Sequence, residues 1–98
     1  MKIGKVIGKV TLNRAHPSLA GATLKLAVPL SLENLAGRSD ALAEEIVVYD
    51  ELGAGMGAHI AVSEGREAAQ PFHPEVKPID AYNAAILDRI ALHNLETA

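Results

Sequence analysis

The sequence predicts an all-β fold, a small five-stranded OB-like β-barrel with one short helix. Apolar and polar residues alternate with period two over much of residues 2–30, and short apolar runs recur further along the chain. Clusters of glycine, proline, asparagine and serine separate these runs, as turns separate strands. Five short strands with one helical insert favour a closed or nearly closed barrel, with a compact antiparallel sandwich as the alternative.

The first two strands are predicted over residues 2–12 and 22–30, because alternating side chains fit a half-buried strand. In the first, the residues expected on the inner face are Gly4, Val6, Gly8, Val10 and Leu12. In the second, those expected to face inwards are Leu24, Leu26, Val28 and Leu30, with Lys25 outside. Pro29 cannot donate a ladder hydrogen bond, so it should end this strand or lie at a sheet edge.

The three remaining strands are predicted over residues 46–50, 59–63 and 84–92. A short helix is expected near 64–69, where helix-forming residues follow Ser63 as a possible cap. Asp80 is a possible cap for one helical turn at residues 81–83, before the last strand. The connections at 13–21 and 70–77 are predicted loops, and the mixed segment 31–45 has no clear assignment.

The glycine loop, residues 50–57, joins the third and fourth predicted strands and contains Gly53, Gly55 and Gly57. A hairpin needs fewer glycines, so the loop could be a plain turn, a phosphate cradle, or a segment that packs against another chain or lines a pore. A phosphate loop requires a helix after it or a Gly-Lys-Ser/Thr run. The sequence offers neither, which disfavours the phosphate interpretation.

Length and composition indicate one domain over residues 1–98 whose core is modest. Hydrophobic residues make up 49 % of the chain but aromatic residues only 3 %, so association of copies would help stability. The chain has no cysteine, and nothing in it resembles a signal peptide or a membrane span, so a soluble intracellular protein is the default expectation. A net charge of −3 disfavours nucleic acid as a partner.

Three motifs occur in an order that resembles a known family. They are Tyr49-Asp50-Glu51-Leu52-Gly53-Ala54-Gly55, Val62-Ser63-Glu64-Gly65-Arg66-Glu67-Ala68-Ala69 and Lys77-Pro78-Ile79-Asp80-Ala81. Together they resemble the EutN/CcmL family, the pentameric vertex proteins of bacterial microcompartment shells. The chain departs from the family where many members have an acidic residue followed by tryptophan, since it has Ala58-His59 there.

The resemblance implies a homopentamer that caps the corners of a polyhedral shell in the cytoplasm and meets hexameric shell proteins. It places Gly53, Ala54 and Gly55 near the five-fold axis, and Asp50, Arg66 and Asp80 at the subunit interface. The segments not used by the barrel, residues 13–21, 31–40 and 70–77, are the expected shell-docking loops. Their candidate residues are His16, Pro17, Ser18, Pro71 and Pro74.

Two other classes of function remain open. A monomeric OB-type binding module for an oligosaccharide or nucleic acid should expose aromatic residues in a basic groove, but the aromatics are only Tyr49, Phe72 and Tyr82. For an enzyme, the candidate pairs are His59 with Glu64, Asp80 with Asp88, and His73 with Glu75. None of them forms a nucleophile–base–orienter set, and the four histidines lack metal-ligand spacing. No catalytic residue, cofactor or metal is therefore expected.

Overall fold

The structure, a computed structural model, describes residues 1–93, which form a closed five-stranded β-barrel. Its strands are β1 (Lys2–Val10), β2 (Leu24–Pro29), β3 (Ile46–Tyr49), β4 (His59–Glu64) and β5 (Ala81–Ile86). They follow the order β1-β2-β3-β5-β4 around the barrel. Every pairing is antiparallel except that of β3 with β5, which is parallel at Tyr49 and Tyr82. The predicted all-β barrel is confirmed.

Three short helical segments connect the strands. Residues Gly65–Phe72 form a 3₁₀ segment where the sequence predicted a helix at 64–69, and it continues through Pro71 into the expected loop. A 3₁₀ turn, Pro17–Leu19, lies in the 13–21 loop. Helix α1, Leu32–Leu35, is a single turn in the segment that the sequence left unassigned.

A capping box organises the segment around α1. The Ser31 Oγ accepts a hydrogen bond from the Asn34 amide at 3.1 Å, and the Asn34 side chain accepts one from the Ser31 amide at 2.9 Å. The Asn34 side-chain amide also donates to the carbonyl oxygen of Asp40 at 2.9 Å. One asparagine therefore fixes both the start of the helix and the turn that follows it.

The position of the fifth strand corrects the sequence prediction. The expected helical turn at 81–83 is the first half of β5, and residues 87–92 are outside any strand. Ala81 pairs with Glu64 and Asn83 with Val62, while Tyr82 pairs with β3. Pairing on both sides of the strand overrides the helix propensity of an alanine-rich run.

The inner and outer faces of β1 and β2 also differ from the prediction. Residues paired across two strands share a face, so Ala27 lies inside with Val6 while Leu26 lies outside. In β2 the inward side chains are therefore Lys25, Ala27 and Pro29. In β1 a bulge between Val6 and Gly8 turns Gly8 and Val10 outwards, although Gly4 and Val6 face in as expected.

The barrel core is made of small aliphatic side chains. Its buried cluster consists of Val6, Ala27, Val48, Ala54, Ile60, Val62 and Ala81. Alanine buries little apolar area, so this cluster stabilises the fold less than one of leucine and phenylalanine would. The buried polar residues, Asp50 and Asn83, consequently matter for the shape of the barrel end.

Candidate functional site

The glycine loop is tied to the barrel by Asp50, which follows β3 and is 2 % exposed. Its Oδ1 accepts a hydrogen bond from the Leu52 amide at 3.0 Å, and its Oδ2 accepts one from the Ala54 amide at 2.8 Å. The Asn83 side-chain amide donates to Oδ1 from β5 at 3.0 Å. One carboxylate thus closes the loop on itself and anchors it to the neighbouring strand.

Lys25 completes this anchor from inside the barrel. Its ammonium group donates to the carbonyl oxygen of Ala54 at 2.8 Å and lies 3.6 Å from Oδ2 of Asp50. The side chains are only 12 % and 0 % exposed, respectively. Ala54 therefore has its N–H bound by Asp50 and its carbonyl bound by Lys25, while its methyl group packs in the core.

The carboxyl group of Asp50 is ionised because its partners outweigh its burial. Burial by itself raises the pKa. The hydrogen bonds from Asn83, Leu52 and Ala54, followed by the charge of Lys25, lower it further than burial raises it. The pKa of Asp50 therefore lies below its ordinary value of 3.8, and a charged Asp50–Lys25 pair holds the loop at neutral pH.

The outer side of the glycine loop is open. Leu52 and Met56 are 51 % and 60 % exposed. Gly53 has φ of +75°, a conformation that L-residues rarely adopt, so the turn itself requires a glycine there. Gly55 does not have a positive φ, and a Cβ added to it would meet no atom within 4 Å. Nothing within residues 1–93 therefore explains the glycine at position 55.

A second cluster lies on the outside of the barrel and joins two of the predicted docking loops. The Tyr49 and Phe72 rings are 5.0 Å apart, and the Phe72 and Tyr82 rings are 5.5 Å apart. The Lys77 ammonium group lies 5.0 Å from the Phe72 ring centroid and donates a hydrogen bond to the carbonyl oxygen of Ser18. Lys77 thereby connects the 70–77 segment to the 13–21 loop.

Tyr82 links this aromatic cluster to the glycine loop. Its hydroxyl group donates a hydrogen bond to Oε1 of Glu51 at 2.7 Å. This hydrogen bond, with burial as the next cause, raises the pKa of Tyr82 to about 12. The aromatic rings pack against one another rather than lining an open groove, and Tyr49 is only 7 % exposed.

The structure separates the predicted interface residues into two kinds. Asp50 is buried within its own chain, where donors from the loop, β2 and β5 converge on it. Arg66 and Asp80 are exposed at one end of the barrel. They are held near each other because the Gly65 amide donates to the carbonyl oxygen of Asp80 at 2.8 Å.

The predicted docking residues lie at the surface. Pro17 begins a 3₁₀ turn that His16 caps, with its Nδ1 accepting a hydrogen bond from the Ser18 amide at 3.1 Å. Pro71 and Pro74 are both exposed. Within residues 1–93, acidic side chains and histidines nowhere gather in a group of three that could hold a metal ion. That same part of the chain has no helix long and apolar enough to cross a membrane.

Sequence reasoning did not identify the roles of Lys25, Asn83 and Lys77, and it placed Lys25 outside the barrel. Each carried a weak signal: Lys25 interrupts an aliphatic run, and Asn83 interrupts a run of small residues. Both are polar residues on the inner face of a strand, where a charged or amide group requires a partner. Lys77 lies between two prolines, Pro74 and Pro78, and gave no pattern from which its contacts could be inferred.

Comparison with known proteins places the chain among shell proteins. Residues 1–88 match the family described as "Ethanolamine utilisation protein EutN/carboxysome". The chain is 33 % identical over 94 residues to the carboxysome shell vertex protein CcmL of Gloeobacter violaceus, covering 96 % of this chain and 89 % of the relative. It is equally identical, over 94 residues, to the bacterial microcompartment shell vertex protein GrpN of Rhodospirillum rubrum, covering 96 % of this chain and all of the relative.

Solved structures agree with these sequence matches. The GrpN pentameric microcompartment shell protein from Rhodospirillum rubrum has a TM-score of 0.78 at 34 % identity, covering 94 % of this chain and 99 % of the other. The structure of Gloeobacter violaceus CcmL has a TM-score of 0.82 at 31 % identity, with coverages of 96 % and 92 %. The similarity therefore includes the barrel and nearly all of its connections.

Proposed function

The chain belongs to the EutN/CcmL family, and we propose that it is a structural shell protein whose pentamers cap the five-fold vertices of a bacterial microcompartment. The observation that carries this proposal is the similarity of nearly the entire chain to a pentameric shell protein. The proposed location is the shell itself, and the proposed partners are further copies of this chain and the hexameric shell proteins.

A pentamer has a defined geometric role in such a shell. Hexagonal tiles cover a flat sheet, and a closed polyhedral surface requires five-fold points. A heterologous interface that closes after five rotations supplies such a point. This task needs a rigid barrel with defined edges and needs no reacting group.

The described side chains also support the proposal of a structural rather than a catalytic role. The most buried carboxylate, Asp50, is used to hold the glycine loop, and the three aromatic residues pack on one another. An oligosaccharide- or nucleic-acid-binding barrel would instead present aromatic faces to its ligand. The arrangement of Tyr49, Phe72 and Tyr82 therefore favours the shell protein over the binding module.

The first test is the mass of the native protein, followed by the shape of the shells. We expect a species of about 51.5 kDa, five times the 10.3 kDa chain, in native mass spectrometry. Electron microscopy of shells assembled without this chain, in cells that have no other vertex protein, should show elongated or unclosed compartments. A monomer in solution, or closed shells of normal shape without the chain, would contradict the proposal.

The shell-docking loops are proposed to act as one surface. The bond from Lys77 to the Ser18 carbonyl and its position over the Phe72 ring hold the 13–21 and 70–77 segments together. A loop held in one shape loses less conformational entropy on docking. Five copies act together in a ring, so a modest loss in each copy becomes a large loss for the vertex.

Lys77→Met tests this surface. Methionine keeps much of the contact with the rings but cannot donate to the Ser18 carbonyl, so the two loops should separate. We expect the pentamer mass to be unchanged while the fraction of closed shells falls. Lys9→Met, at an exposed lysine on β1, is the matched control and should close shells normally. Equal closure with both variants would remove these loops from the docking surface.

A further inference from the structure

A continuous series of contacts joins the 13–21 loop to the glycine loop across the outside of the barrel. It begins where the Lys77 ammonium group donates to the carbonyl oxygen of Ser18 and lies 5.0 Å from the Phe72 ring centroid. The Phe72 ring meets the Tyr82 ring nearly at a right angle, with 5.5 Å between their centroids. The Tyr82 hydroxyl then donates to Oε1 of Glu51 at 2.7 Å. We call these five residues and their contacts the Tyr82 link.

The backbone of Tyr82 is fixed, while its side chain is free to follow its neighbours. Tyr82 belongs to β5 and pairs with Tyr49 of β3 and with Ser63 of β4. A tyrosine side chain turns about two single bonds, so a displaced Phe72 ring reorients the Tyr82 ring rather than the strand. The hydroxyl group lies at the far end of that ring, so the same rotation moves it relative to its acceptor.

Glu51 is the residue at which the Tyr82 link enters the glycine loop. It follows Asp50, whose buried carboxylate holds the amides of Leu52 and Ala54 against the barrel. Glu51 itself is exposed, so the hydrogen bond from Tyr82 acts on the outer side of the loop. The loop is therefore held from inside by its own carboxylate and from outside by the link.

A second route to the loop, through Tyr49, is stiffer. Tyr49 also contacts the Phe72 ring, at 5.0 Å between centroids. It is the last residue of β3, however, and it pairs with Leu24 of β2 and with Tyr82 of β5. Strand pairing on both sides resists its displacement, so a change at Phe72 reaches the glycine loop through the side chain of Tyr82.

We propose that the Tyr82 link couples docking of a shell tile on the 13–21 and 70–77 loops to the order of the glycine loop. The inference rests on the proposed function for the identity of the two surfaces, and it adds that each acts on the other. Ordering the docking loops lowers the entropic cost of ordering the glycine loop, so no large movement is required. Coupling between two sites is reciprocal, so a rigid glycine loop strengthens docking in turn.

The first test measures hydrogen exchange at backbone amides of the free protein. Lys77→Met removes the bond to Ser18 at the far end of the link. It should quicken exchange at the Leu52 and Ala54 amides at least about fivefold, the lower end of measured coupling between sites. In a Tyr82→Phe background, which lacks the linking hydroxyl, the same substitution should change these rates by less than about twofold, as for independent sites.

Tyr49→Phe is the matched background, because it removes a hydroxyl group that makes no hydrogen bond within residues 1–93. There, Lys77→Met should still quicken the glycine-loop amides. The Leu30 amide, which donates to the Ile3 carbonyl, should stay within about twofold of wild type in every variant, because the opening is local. Glycine-loop amides that ignore Lys77→Met, that respond equally without the Tyr82 hydroxyl, or that quicken only together with Leu30 would overturn the inference.

The second test compares free pentamers with assembled shells. Exchange at the Leu52 and Ala54 amides should slow at least about fivefold on assembly of the wild type, and by less than about twofold for Tyr82→Phe. Equal slowing in the two proteins, or none in the wild type, would overturn the coupling but leave pentamers and closed shells, and with them the proposed function, in place. A monomeric wild type would instead overturn the proposed function.

Discussion

Asp50→Ala is expected to lower the free energy of unfolding by about 3–5 kcal/mol, the range for removing one member of a buried charged pair. The variant leaves the ammonium group of Lys25 buried without its carboxylate, and it removes the acceptor of the Ala54 amide. The Asn83 side chain also loses its partner. Because the apolar core is small, other contacts cannot offset this loss.

Thermal and denaturant unfolding at a fixed chain concentration measure this effect. Concentration must be fixed because assembly adds to the apparent stability. The control is Glu44→Ala, at an exposed acidic residue, which should change stability by less than about 0.5 kcal/mol. If Asp50→Ala destabilises the protein no more than Glu44→Ala does, the anchor has no structural importance.

Asp50→Asn isolates the charge from the shape and adds a pH dependence. The pKa of Asp50 in the folded chain is below 3.8, so its stabilising effect is complete above the unfolded-state value and is lost as the pH falls through the folded-state value. The wild type should therefore lose stability steeply below about pH 4. The asparagine variant should be less stable at pH 7 and lose less stability on acidification, and parallel curves for the two proteins would contradict this.

The alternating pattern of β2 reveals the strand but not the direction in which it faces. Period two states which residues share a face, and the larger side chains favoured Leu24 and Leu26 for the inside. A barrel of only five strands has a narrow interior, which Ala27 and the Lys25 stem occupy. Leu24 and Leu26 lie outside because the barrel interior has no room for them. The pattern of one strand cannot predict the size of that interior.

The bulge in β1 and the start of β5 were hidden for a related reason. A bulge exchanges the faces of every residue beyond it, so Gly8 and Val10 follow a different rule from Gly4 and Val6. The run that begins at Ala81 forms a strand because it pairs with β4 along its length and with Tyr49 of β3. Both effects depend on pairing with strands that are distant in sequence.

The candidate site was foreseen only in part. The glycines and Asp50 are adjacent in sequence, so the loop could be recognised as a special segment. Its anchors come from 29 residues before Ala54 and 33 residues after Asp50, through Lys25 and Asn83. Spacing along the chain cannot reveal such partners, so the bonds that Asp50 makes within its own barrel were not foreseen.

Gly55→Val is expected to dissociate or distort the ring while leaving the single barrel folded. The proposed position of Gly53, Ala54 and Gly55 near the five-fold axis brings five backbones together and leaves no room for a side chain. Within one chain, an added Cβ at Gly55 meets no atom within 4 Å, so the first atom of the new side chain has room there. Forcing extra carbon atoms into a packed contact costs about 1–3 kcal/mol, here at every subunit of the ring.

Gly53→Val and Ala41→Val separate this effect from ordinary destabilisation. Gly53 has φ of +75°, so its valine variant strains the loop even in an isolated chain, by about 1–2 kcal/mol. Ala41→Val adds the same kind of side chain at an exposed site and should change neither the mass nor the melting temperature. Native mass spectrometry and circular dichroism should then find Gly55→Val folded but not pentameric. Because a Cβ at Gly55 meets nothing within its own chain, a loss of assembly would come from a neighbouring copy. A Gly55→Val pentamer with unchanged mass and melting temperature would place the loop away from the axis.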